Sequence, residues 1–232
     1  MVAPRSIISF RDIIAEEGAI LQRGMNYRMR PNYSIILMSL RRDAPYADRV
    51  EEGGKVLVYE GHDVPRTAGS PDPKTVDQPL TTAFGRPTQN GLFMEAAVEY
   101  KEGKRPPENV RVYEKLKSGI WVYNGVFKLL DGWQEMIRGR RVCKFRLELT
   151  DILEDTAISA GQSSRSNDRV IPSAVKQEVF KRDGGRCRQC GSSKNLHFDH
   201  DIPYSLGGSS VTAENVQLLC AECNLKKRDK IR

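Results

Sequence analysis

Two Cys-x-x-Cys pairs, Cys187-Arg188-Gln189-Cys190 and Cys220-Ala221-Glu222-Cys223, stand a few tens of residues apart. Each pair makes a tight knuckle that presents two thiolates, and two knuckles complete the tetrahedron of a structural zinc site. Disulfides or four unrelated cysteines are the alternative; the repeated spacing and the lack of secretory features weigh against them. Between and after the pairs stand residues that four sulfur ligands do not require. These are His197, Asp199 and His200, then Pro203, Gly207-Gly208 and Asn215, and finally Asn224 and Lys227 beyond the last cysteine.

This order of motifs resembles the HNH nuclease family: Cys-x-x-Cys, Asp-His-x-x-Pro, Gly-Gly, Asn, Cys-x-x-Cys-Asn and Lys, over residues 170–230. The last H of the family's name is Asn224 here. The resemblance implies hydrolysis of a phosphodiester, which requires an activated water, charge neutralisation on phosphate and help for the leaving oxygen. An imidazole can accept a water proton near neutral pH, so His200 is the expected general base. A hard divalent ion, magnesium or manganese, takes oxygen ligands, and Asp199 with the Asn224 side-chain carbonyl are the expected set. Asn215 is expected to brace the loop and orient His200, and Lys227 to meet phosphate. His197 shares a strand face with Asp199 and is read as structural.

These residues need a hairpin followed by a helix. Leu196 to Ile202 reads as the first strand, with Pro203 stopping it. Val216 to Leu219 is the return strand, and a helix runs from Cys223 to about Lys230, placing Asn224 and Lys227 on one face. Strand alternation sends Asp199 and His200 to opposite sides, so the backbone must bend there or the phosphate must sit at the strand's end. The sequence leaves both open.

The rest of the chain, 232 residues in all, is long enough for two modest domains. The formal net charge of +7 suits a polyanionic partner and equally a merely soluble protein. Four of five cysteines belong to the zinc set, and Cys143 reads as a packed strand residue, which together suggest a reducing cytoplasm. No apolar run approaches membrane-spanning length.

Ser9 opens a short helix to Glu17, and Gly18 can end it. Residues 24–32 carry Arg28 and Arg30 beside Tyr27 and read equally as a basic, aromatic loop able to meet a nucleic-acid backbone or as a solvated surface loop. Strands are expected over residues 33–40 and 55–60. The long aperiodic stretch 61–89 leads to a helix capped by Asn90 that buries Leu92, Phe93, Ala96, Ala97 and Tyr100. Three further strands, 110–116, 120–130 and 141–149, make a curved sheet or small barrel.

In this domain Tyr59-Glu60-Gly61-His62, Val110-Arg111-Val112-Tyr113 and Trp121-Val122-Tyr123-Asn124-Gly125 stand in an order that resembles the SRA (YDG) domain. SRA domains flip a modified cytosine into a pocket between aromatic rings. The resemblance implies a double-stranded DNA partner and places Tyr59 and Tyr46 as the two rings, with Asp48 reading the base's polar edge. Glu60 stands where the family often has Thr, and Asn124 replaces the Asp of YDG. No insertion between Lys115 and Gly119 is long enough to probe the opposite strand, so which modification fits is open.

The expected architecture is thus α+β: residues 1–153 an SRA-like domain of a curved sheet with flanking helices, 154–169 a Ser/Gly-rich linker, and 170–232 a ββα-metal HNH domain with a four-cysteine zinc site. The expected activity is that of SRA–HNH modification-dependent restriction endonucleases, acting on 5-methylcytosine or 5-hydroxymethylcytosine DNA, with a homodimer as the expected assembly. Two alternatives stand beside it. One is an HNH nickase with a modification-independent nucleic-acid-binding domain, the other a non-catalytic, zinc-stapled DNA-binding protein.

Overall fold

The computed structural model describes residues 2–21, 24–30, 32–150, 170–202 and 209–227. The expected linker and the Pro203–Gly208 loop lie outside them. Ten strands and four α-helices follow one another among the described residues: β1 Ile7–Ser9, α1 Phe10–Glu17, β2 Met25–Arg30, β3 Tyr33–Met38, β4 Arg49–Glu51, β5 Val56–Glu60, α2 Gln89–Lys101, β6 Glu108–Lys117, β7 Ile120–Ile137, β8 Arg140–Leu149, α3 Ser173–Arg182, β9 Leu196–His200, β10 Val216–Cys220 and α4 Ala221–Lys227. The fold is α+β.

The first eight strands form one sheet in the order β2-β3-β6-β7-β8-β5-β4, with β1 added against β7. Every pairing is antiparallel except β3 with β6. Alternation along β3 explains how the sheet is covered on both faces. Ile36 and Met38 join Phe93, Ala96 and Ala97 of α2 in one core, while Ile35 joins Ile13 of α1 in another. On β7 the alternation changes phase. Val112 faces Gly125 but Tyr113 faces Tyr123, leaving Asn124 as the extra residue of a bulge. Trp121 and Tyr123 therefore enter the α1 core, and Phe127 and Leu129 enter the α2 core.

Several sequence expectations change here. Residues 25–30 are an edge strand rather than a loop, and β7 continues to Ile137 through a second irregularity at Asp131. The cap of α2 is Thr88, whose hydroxyl accepts from the Gly91 N–H; Asn90 lies inside the helix, buried, and bonds both the N–H and the C=O of His62. The Ser9 cap and the left-handed Gly18 of α1 are as expected. β9 and β10 form a separate two-stranded antiparallel sheet that pairs His200 with Val216 and Leu196 with Cys220, and α4 follows directly.

Candidate nuclease and base-binding sites

The hairpin register brings Cys220 to the base of β9, and α4 carries Cys223 one turn on. The sulfurs of Cys187, Cys190, Cys220 and Cys223 all lie within 4.8 Å of one another, with Cys190 and Cys220 at 3.6 Å. Four sulfurs at zinc-bond length from a common centre are about 3.8 Å apart, so the cluster fits tetrahedral zinc. Burial pushes the Cys187 thiol up, but backbone N–H groups around it outweigh burial and bring it down to about 6, whereas the hydrogen bond to the Cys220 sulfur pushes the Cys223 thiol up to about 12.

At the other end of β9, alternation turns His200 inward, where it is 6% exposed, and Asp199 to the opposite face. The Ser210 hydroxyl stands 2.7 Å from His200 Nε2 and holds the ring. Asn215 binds the chain that follows β9: its Oδ1 accepts from the Ile202 N–H at 2.7 Å, and its Nδ2 donates to the Ile202 and Ser209 carbonyls. These bonds tie Ile202 to Ser209.

Lys227 differs from expectation. Its side chain is 1% exposed, and its ammonium lies 2.6 Å from Asp199 Oδ2 and also donates to the His200 carbonyl. The last turn of α4 folds it over β9, so it is an internal counter-charge rather than an open phosphate contact. Asn224 precedes it by one turn on the same helix. The hard oxygens of Asp199 and Asn224 suit a divalent cation, and Lys227 already puts positive charge on Asp199.

A second site opens in the large sheet. A cavity of about 290 Å³ is lined by Tyr46, Asp48 and Tyr59, the three residues the sequence singled out, together with Gly24, Lys115 and Trp121. Asp48 accepts from the Ser39 N–H on one oxygen and the Glu60 N–H on the other, leaving each a second lone pair. Burial pushes its carboxyl up to about 6 against those hydrogen bonds. Tyr59 is fully buried, and its hydroxyl meets His62 Nε2 at 3.3 Å. The same nitrogen accepts from the Met25 N–H. The Tyr46 ring lies 5.9 Å from His62, and the Lys74 ammonium covers it at 4.1 Å.

The model of the HNH endonuclease family matches residues 187–230, the stretch that holds all four cysteines, Asp199, His200, Asn215 and Asn224. Residues 187–230 are an HNH endonuclease domain. The large sheet is similar to the SRA domain of SUVH5 bound to fully hydroxymethylated CG DNA: 22% identity over 62% of this chain and 86% of that one, with a TM-score of 0.44. The modification-dependent TagI restriction endonuclease is similar at 21% identity over 97% of this chain and 76% of its own, with a TM-score of 0.42. The type IV phosphorothioation-dependent restriction endonuclease ScoMcrA aligns at 16% identity over 98% of this chain and 52% of its own, with a TM-score of 0.43. No curated protein matches the chain.

The HNH domain thus contains every nuclease residue expected from sequence. The candidate phosphate contacts are less uniform. Arg28 pairs with Glu108 at 3.0 Å while its side chain stays 47% exposed, and the side chain of Arg30 lies outside the described residues. Sequence reasoning missed Gly24 and the support behind the cavity. A Cβ on Gly24 would lie 2.4 Å from Tyr59 Oη, so only glycine leaves the cavity open there. Glu60, the departure from the family's Thr, is buried, pairs with Lys144 at 2.8 Å and accepts from the Ala47 N–H. It therefore holds the loop between Tyr46 and Asp48. Among the described residues, no helix is long and apolar enough to cross a membrane.

Proposed function

We propose that this chain is a modification-dependent DNA endonuclease that flips a modified cytosine, 5-methylcytosine or 5-hydroxymethylcytosine, into the cavity of the large sheet and cuts with the HNH domain. One observation carries this reading. Tyr46 and Asp48 of the loop before β4 and Tyr59 of β5 line one cavity in a chain that also bears a nuclease domain.

In this reading Tyr46 and Tyr59 supply the aromatic walls, and stacking of about 1–3 kcal/mol per ring offsets much of the few kcal/mol that flipping costs. Asp48, ionised above its pKa of about 6, accepts the exocyclic amino proton of cytosine. His200, held by Ser210, takes the proton of the attacking water. A divalent ion on Asp199 and Asn224 would neutralise the phosphate and the leaving oxygen. One HNH site cuts one strand, so a double-strand break takes two sites, and we propose a homodimer whose mass sedimentation would reveal.

The test is digestion of matched plasmids carrying cytosine, 5-methylcytosine or 5-hydroxymethylcytosine. Cleavage restricted to the modified plasmids is expected. Equal cleavage of all three would make the protein an HNH nuclease of modification-independent specificity.

A further inference from the structure

The bulge on β7 does more than change the phase of the strand. It turns Asn124 toward α3, where its Oδ1 accepts from Lys176 Nζ at 2.8 Å and its Nδ2 donates to Glu114 Oε2 at 3.0 Å. Lys176 also binds Glu114 Oε2 at 2.8 Å. Glu114 is fully buried and Lys176 is 4% exposed. Lys176 enters on the helix that opens the nuclease half, whereas Glu114 and Asn124 lie in the large sheet. This charged triad is sealed between the two halves.

Apolar packing surrounds it. Leu116 and Val122 of the sheet share one buried cluster with Val175, Val179, Leu196, Phe198 and Leu218 of the nuclease half. Alternation along β6 places Glu114 on the face where Val110 and Val112 meet the α2 core, and Leu116, the extra residue where the register shifts again, joins the α3 cluster. The helix α3 covers the end of that face which α2 leaves. The backbone crosses the seam as well. Arg5 donates its N–H to the Tyr123 carbonyl in the sheet and accepts from the Phe198 N–H of β9 at 3.2 Å. Ser6 bridges His197, with its hydroxyl 3.1 Å from His197 Nδ1. His197 is two residues from Asp199 on the strand that carries the nuclease pair.

We propose that the base-binding sheet and the nuclease form one docked body, and that Lys176 is a positioning residue that fixes the offset between the captured base and the cut phosphate. The offset rests on the proposed function above; the docking does not. A chain whose halves were joined by the connecting segment alone would cut over a range set by that segment's length. A docked chain cuts at one offset whatever the segment's length.

The experiment uses the full chain and duplexes with a single 5-methylcytosine, with cuts mapped to the nucleotide. A Gly/Ser insertion of roughly ten residues after Ala160 should leave the offset unchanged. Lys176→Glu, which faces Glu114 with a second carboxylate, should spread the cuts over several positions. The swap Lys176→Glu with Glu114→Lys should restore the single offset, which separates a seam from a mere folding defect. Hydrogen exchange of the Phe198 amide, measured without DNA, should rise on the order of tenfold or more in Lys176→Glu and recover in the swap. An offset that moves with the insertion overturns the proposal, as does Phe198 exchange that Lys176→Glu leaves untouched. If wild type ignores methylation, the proposed function fails, and the exchange measurement alone decides the docking.

Discussion

His200 and Asp199 sit side by side on β9 yet face opposite ways, and this division of labour makes their substitutions informative. In the proposed mechanism His200→Ala removes the proton acceptor and no surface cation, so cleavage should fall by about 10²–10⁴-fold while DNA affinity stays within twofold or so. Asp199→Ala should act similarly, because the proposed ion would lose its one charged ligand and Lys227 loses its partner. Plasmid nicking beside a mobility-shift assay checks both, and near-normal cutting by either variant would remove it from the site. Asp48 makes a claim about pH. Its carboxyl titrates at about 6 when folded against an ordinary 3.8, so the folded state holds that proton the more tightly. The stability this confers is complete below about pH 4 and is lost as pH rises through 6, by at most about 3 kcal/mol. Asp48→Asn cannot titrate and should flatten that limb of the curve. Thermal unfolding from pH 4 to 7.5 compares the two proteins, and parallel curves would show that Asp48 is not so buried in solution.

At the scale of elements, the two sites depend on different kinds of support. The β9–β10 hairpin and α4 are too small to bury a self-sufficient core, so zinc should contribute folding free energy outright, on the order of 10 kcal/mol. Dialysis against a mild chelator should stop cleavage reversibly and leave zinc in place, whereas Cys220→Ser should yield molten or insoluble protein. Elemental analysis of the dialysed protein measures this, and folded, active protein without zinc would contradict it. The cavity of the large sheet depends instead on an absence. Gly24→Ala would set a methyl against Tyr59 Oη and the Leu37 carbonyl, and the backbone oxygen cannot swing aside. That variant should lose its preference for methylated duplex while keeping its salt-sensitive background binding. Titration at two salt concentrations checks it; an unchanged preference would place the base elsewhere.

For the whole molecule, legibility in the sequence followed the range of the interactions involved. The zinc frame, the hairpin and α4 were readable because cysteine spacing and local alternation specify them within a few tens of residues. The cavity was readable only through the order of short motifs, and Gly24, Lys115 and Trp121 were missed because nothing local marks them as its walls. β2 reads as a loop because its Arg and Tyr residues suit the edge position it occupies, where among the described residues no further strand pairs with it. Lys227 was given to phosphate because a lysine near a helix end is ordinarily solvated, and only the packing of α4 on β9 turns it inward. The seam was invisible. Nothing in the local sequence marks Lys176, and Asn124 reads as a departure from a motif; a bulge and a helix bring them together.

The bridge from Ser6 to His197 spans 191 positions of chain. At translation rates of about 5–20 residues per second, Ser6 waits on the order of 10–40 s for His197 to be made. During that interval the side of Ser6 that meets His197 waits for its own chain and is open to a neighbouring nascent chain. Slower elongation lengthens the exposure and higher expression multiplies the neighbours. The yield of soluble protein should therefore be set by the timing of synthesis as much as by the stability of the finished fold.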